Sequence, residues 1–151
     1  MFGLVVMLAA AEPQGTIYLV CLGAGNASRV SSTYGSAYDN RGNSAWGQVV
    51  SRREVPFDDQ VNIEIASDDT GRVRMPRAML PVVRGGDNGW FKISNVRKTD
   101  SEITGTIGVN FMNKPKLRLD RMTGSVSISG KAGDYSGTCQ PYDPTTVERK
   151  F

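Results

Sequence analysis

Glu102-Ile-Thr-Gly-Thr-Ile-Gly-Val-Asn-Phe111 puts Ile103, Gly105, Ile107, Val109 and Phe111 on successive odd positions, with Glu102, Thr104, Thr106, Gly108 and Asn110 between them. Successive Cβ atoms alternate across a pleat, so this period of two predicts a strand with one face on a core and the other in water. The alternation recurs in Val61-Asn-Ile-Glu-Ile65, Lys116-Leu-Arg-Leu-Asp120 and Ser125-Val-Ser-Ile-Ser129. Phe91-Lys-Ile93 continues to Val96 with a slip that a β-bulge would absorb. Residues 16–22, 46–50 and 72–75 add further expected strands. Asp68-Asp-Thr-Gly71 and Asp120-Arg-Met-Thr-Gly124 are short, Gly-bearing connections, and Asn113-Lys-Pro115 stops the 102–111 run. Loops this short join only antiparallel neighbours. The predicted fold class is all-β: a single-domain antiparallel meander of about eight strands, forming a barrel or a two-layer sandwich.

Composition agrees. The 151 residues are 39% hydrophobic and 22% charged, with 17 Gly and 7 Pro, which excludes a helical bundle, a coiled coil or a wholly disordered chain. The absence of histidine removes imidazole bases, His-ligated zinc and the usual nucleophilic triads. Two stretches stand outside the strand pattern. Residues 23–47, rich in Gly, Ser, Asn and Tyr, read as a long loop ordered by Tyr34, Tyr38 and Trp46. Residues 76–90, with two prolines and a Gly-rich turn, read as irregular chain with one helical turn.

The apolar run 2–11 is too short to cross a bilayer as a helix and ends in Ala9-Ala10-Ala11. It reads as a signal-peptide-like segment over 1–11, lacking the usual positive start, ahead of a single β domain over 12–151. Cys21 and Cys139 are the only cysteines. In an exported chain two cysteines imply one disulfide, which here would tie the first strand to the last; two buried free thiols are the alternative. Periplasmic or secreted localisation is the expectation from the disulfide and the leader together. No transmembrane helix is expected.

Three stretches invite a catalytic or metal reading. Gly23-Ala-Gly-Asn-Ala27 echoes a dinucleotide-binding turn, but the following Ser-Arg-Val-Ser-Ser is no helix. Asp69-Thr70-Gly71 matches the tripeptide of aspartic proteases, yet Ser67-Asp68 and Arg72 flank it where apolar residues belong, so a tight turn explains it better. Asp58, Asp59, Glu64, Asp68 and Asp69 lack the alternating spacing of a calcium loop, and no metal or other cofactor is expected. The same carboxylates keep a glycosidase-like hydrolase open as the alternative function, since that chemistry needs only an Asp/Glu pair.

Charge is unevenly spread. From Gly71 to Lys131 there are twelve basic and four acidic residues, a net of +8, whereas Asp39 to Asp69 carries seven acidic and three basic ones. Lys116 and Arg118 share the face opposite Leu117 and Leu119. Arg97, Lys98, Lys114, Lys116, Arg118 and Arg121 are therefore candidate polyanion-binding residues, against the plainer reading of lysines and arginines guarding strand edges. With only Trp90 and Phe91 near these bases, nucleic acid is a poor fit.

Gly89-Trp90-Phe91, Ile103-Thr-Gly-Thr-Ile107, Asn113-Lys-Pro-Lys116, Leu119-Asp-Arg-Met-Thr-Gly124, Tyr135-Ser-Gly-Thr-Cys139 and Arg149-Lys-Phe151, with Gln14-Gly-Thr-Ile-Tyr-Leu-Val-Cys-Leu-Gly23, resemble small exported proteins of alphaproteobacteria. The resemblance leaves out 23–60 and has no activity attached. It implies export and a compact β domain. The expected function is an exported, non-catalytic β-domain protein, a binding or envelope-associated module for an anionic envelope polymer or a small ligand.

Overall fold

A computed structural model describes residues 15–82 and 84–144. The signal-like segment 1–11 lies outside these residues. Eight antiparallel strands follow in chain order: β1 (Ile17–Tyr38), β2 (Ser44–Ile65), β3 (Gly71–Arg74), β4 (Trp90–Lys98), β5 (Glu102–Ile107), β6 (Lys116–Asp120), β7 (Ser125–Gly130) and β8 (Gly133–Pro141). Each pairs with its sequence neighbour, and β8 returns to pair with β1, so the meander closes into a barrel rather than splitting into a sandwich. Closure removes the sheet edges that an open meander would leave to solvent. Among the described residues there is no α-helix, only a 3₁₀ turn at Arg77–Met79.

The interior is filled by the alternating apolar positions. Val61, Ile63 and Ile65 of β2, Phe91 and Ile93 of β4, Leu117 and Leu119 of β6 and Val126 and Ile128 of β7 point inward and are buried. An eight-stranded barrel is just wide enough to be packed solid by its own side chains. One end is closed by the 75–80 segment, which brings Met75 and Met79 against the core. The other end, ringed by the turns 66–70, 99–101 and 121–124, is open among the described residues.

The seam of the barrel is where β1 meets β8. Cys21 lies opposite Cys139 and the two form a disulfide. Two residues further on, Gly23 faces Gly137, and a Cβ on Gly137 would press on the Leu22 carbonyl oxygen at 2.5 Å. Glycine is required here because the two backbones approach too closely for any side chain. Gly23-Ala-Gly25 is thus strand, not the loop read from the sequence. Tyr135, one step along β8, is buried inside and donates its hydroxyl to the Asp59 carbonyl at 2.9 Å, tying β8 to β2 across the interior.

Four expectations are corrected. The largest is 23–47: instead of a loop, β1 and β2 run on as 22-residue partners in unbroken register from Ile17↔Ile65 to Tyr38↔Ser44. Past Ala27 the β8 pairing stops, and β3 reaches only positions 62–65 of β2. Residues 28–38 and 44–54 therefore leave the closed end of the barrel as a two-stranded ribbon. Secondly, the expected strands 46–50 and 61–65 are one strand. Thirdly, the 102–111 run pairs only to Ile107; Val109 folds over the barrel end and is buried, while Phe111 is exposed. The Asn110 side chain ends the run by accepting from the Met112 and Asn113 amides, competing with the ladder. Finally, the expected strand 16–22 covers only the first six residues of the 22-residue β1. The expected slip in β4 is present as a register shift between Ser94 and Arg97, with Asn95 at φ 53°.

Candidate functional site

The open end of the barrel holds a cavity of about 1040 Å³. Its floor is apolar: Ile17 and Leu19 from β1, Ile103 from β5 and Leu119 from β6. They meet there because alternation points these odd positions inward, and among the described residues no segment like 75–80 covers this end. The rim is polar and carries both signs, with Asp68, Lys98, Asp100, Asp120 and Arg121. A barrel mouth of this size, greasy below and polar above, is a common place for a small ligand.

The rim charges are held by their own turns. Asp68 accepts from the Thr70 hydroxyl at 2.6 Å and the Thr70 amide at 3.2 Å, which lowers its pKa. Asp120 accepts from the amides of Thr123 and Met122, which likewise holds its pKa down. Lys98 reaches the neighbouring 66–70 turn, to Asp69 at 3.0 Å and to the Ala66 carbonyl at 3.2 Å. An ammonium has three donors, so this leaves one for a guest. Arg121 gives one guanidinium nitrogen to the Thr99 carbonyl at 2.7 Å.

The six basic residues singled out by charge do not form one patch. Lys98 and Arg121 stand at the mouth. Arg97, Thr104 and Arg118 align in one outward row across β4, β5 and β6, and Lys116 lies one row over, bonded to the Thr106 hydroxyl at 3.0 Å. Arg118 pairs with Glu102 at 3.0 Å. Lys114 is exposed in the loop before β6. The acidic residues are equally dispersed. Glu64 pairs with Arg72, which stacks over Trp90 at 4.6 Å. Asp59 accepts from the Arg77 amide at 3.0 Å. Asp58 is exposed on β2, and Asp69-Thr70-Gly71 is a turn, Asp69 having φ 63°. Among the described residues no three His, Cys, Asp or Glu side chains gather as a metal-ligand cluster.

The second unusual surface is the ribbon. Directly paired residues share a face, so Val30, Tyr34 and Tyr38 of β1 lie with Trp46 and Val50 of β2 on one side. Each large residue stands opposite a small or polar one: Trp46 opposite Ser36, Val50 opposite Ser32, Tyr34 opposite Gln48. All five are more than 60% exposed. The reverse face is mostly small or polar, with the exposed Val49 its one large apolar residue and Ser31 and Ser51 hydrogen-bonded across it at 2.7 Å. At the tip, Asp39 accepts from the side chain and amide of Asn43 and the amide of Arg41, and these bonds lower its pKa. This aromatic face was missed because Gly, Ser and Asn dominate the composition. Its signal was the even spacing of Val30, Tyr34 and Tyr38 before Asp39-Asn-Arg-Gly42.

Comparison of the chain with protein-family models, with curated proteins and with solved structures returns no match. Among the described residues no helix is long and apolar enough to cross a membrane.

Proposed function

We propose that this protein is an exported, non-catalytic binding module and that its ligand enters the open mouth of the barrel. The observation that carries the reading is the apolar floor of Ile17, Leu19, Ile103 and Leu119 beneath a rim of mixed charge. That arrangement suits a small amphiphile, its chain on the floor and an uncharged or zwitterionic head among Lys98, Arg121 and the aspartates. A disulfide between two buried cysteines supports folding in an oxidising compartment. The hydrolase alternative is less well supported. A glycosidase needs one carboxyl kept protonated near neutrality, whereas the Thr70 hydroxyl and amide lower the pKa of Asp68 and the Thr123 and Met122 amides lower that of Asp120. The outward basic row does not offer an anionic polymer a continuous positive strip, because Glu102 of the neighbouring row pairs with Arg118.

The test is calorimetric titration with dodecylphosphocholine below its micelle concentration. Saturable binding is expected, lost in Leu19→Glu and kept in Leu22→Glu, whose side chain lies on the outer surface, 66% exposed. Absence of binding, or binding indifferent to Leu19→Glu in a variant that still melts cooperatively, refutes the proposal.

A further inference from the structure

A two-stranded ribbon with an apolar face is at best marginally stable alone, and three or more strands are needed before such a face holds together. This one also has an open edge. The Ser28 amide is directed to the β8 side, bonded to the Ala132 carbonyl at 2.9 Å. By strand alternation the N–H and C=O groups of residues 30, 32, 34, 36 and 38 point the same way, where no strand among the described residues follows. This edge has none of the usual guards, since no charge and no proline occurs from Val30 to Tyr38. The opposite edge carries Arg52, Arg53, Glu54 and Pro56.

We infer that the β1 edge of the ribbon pairs antiparallel with the same edge of a second copy of this chain, about a two-fold axis at Tyr34. The edge reads nearly the same from both ends, as an isologous interface requires. In this register Tyr34 meets Tyr34 of the second copy, Val30 meets Tyr38, Ser32 meets Ser36, and Arg29 meets Asp39. Large side chains face large ones, small face small, and opposite charges face each other at both ends. The product is a four-stranded sheet with one apolar face, to which each copy contributes Val30, Tyr34, Tyr38, Trp46 and Val50, with the two barrels at opposite ends. The pairing stretch is limited by Ala132, which occupies the edge at Ser28.

Three measurements on the oxidised protein decide the matter. In analytical ultracentrifugation at micromolar to submillimolar concentration, the protein sediments at twice the 16.4 kDa of one chain. Tyr34→Cys forms a covalent dimer on a non-reducing gel, because the residue meets itself on the axis, and Tyr38→Cys, which meets Val30, does not. Ser36→Pro sediments as a monomer with unchanged melting temperature, since its N–H points outward and bonds none of the described residues. A monomeric parent overturns the proposal, as would be seen if the ribbon served a lipid surface or a different protein. A dimer in which Tyr34→Cys fails to cross-link, or one that survives Ser36→Pro, also overturns it.

Discussion

Removing the Cys21–Cys139 bond isolates what closes the barrel. The cysteines are 118 residues apart in sequence, so the bond closes a loop of nearly the whole described chain. In the chain-entropy model a loop of that length withholds about 5 kcal/mol of freedom from the unfolded state. The native seam does not depend on it: the β1–β8 ladder runs for nine residue pairs from Leu19↔Pro141 to Ala27↔Gly133. The double variant Cys21→Ala/Cys139→Ala should therefore keep the folded structure and lose stability through the unfolded state. For a chain of this size about 5 kcal/mol corresponds to a fall of roughly 10–20 °C in melting temperature. Far-UV circular dichroism against temperature reads the shift. A parallel urea titration should show a larger m-value, because an uncrosslinked chain exposes more surface. A melting temperature within about 3 °C of the parent, or a lower m-value, refutes this account of the seam.

Three further outcomes follow from single positions. Tyr135→Phe removes the hydroxyl bond to Asp59 and should cost about 1 kcal/mol in chemical unfolding at neutral pH. Burial, with the Asp59 charge adding to it, pushes the Tyr135 phenol up to about 12 from 10. Its contribution is complete below pH 10 and is lost as pH rises from 10 to about 12, so the gap between parent and Tyr135→Phe should narrow over that window. Gly137→Val sets a branched side chain against the Leu22 carbonyl and should abolish cooperative folding, measured by calorimetry, whereas Gly35→Val on the ribbon, with open space around it, should not. Ile63→Ala in the barrel centre should cost about 2–5 kcal/mol in urea unfolding, against near zero for Leu22→Ala on the outside.

How much of this was legible in the chain depends on what each residue had to satisfy locally. Lys116–Asp120 and Ser125–Gly130 stand close to where alternation put them, because Leu117, Leu119, Val126 and Ile128 each have one face to bury and the turn between them carries Gly124 at φ 77°. The 23–47 segment was misread because its glycines, apart from Gly42 at the tip, are strand rather than turn residues. Gly23 is there for its contact with Gly137, more than a hundred residues away, and no local pattern announces that. The run to Phe111 was overextended because alternation continues in the letters after the partner strand has ended.

The sequence by itself therefore determined the class of structure: period-two burial, hairpin punctuation and two cysteines placed to join first strand to last are local or countable facts. Only the tertiary structure decided that the sheet closes into a ring, that one end is covered by Met75 and Met79 while the other is left open, and that the β1–β2 pair outruns the barrel as a ribbon. Those outcomes depend on which distant backbone lies beside which, and the energy that selects among them comes from packing and hydrogen bonding between residues that the order of the chain keeps apart.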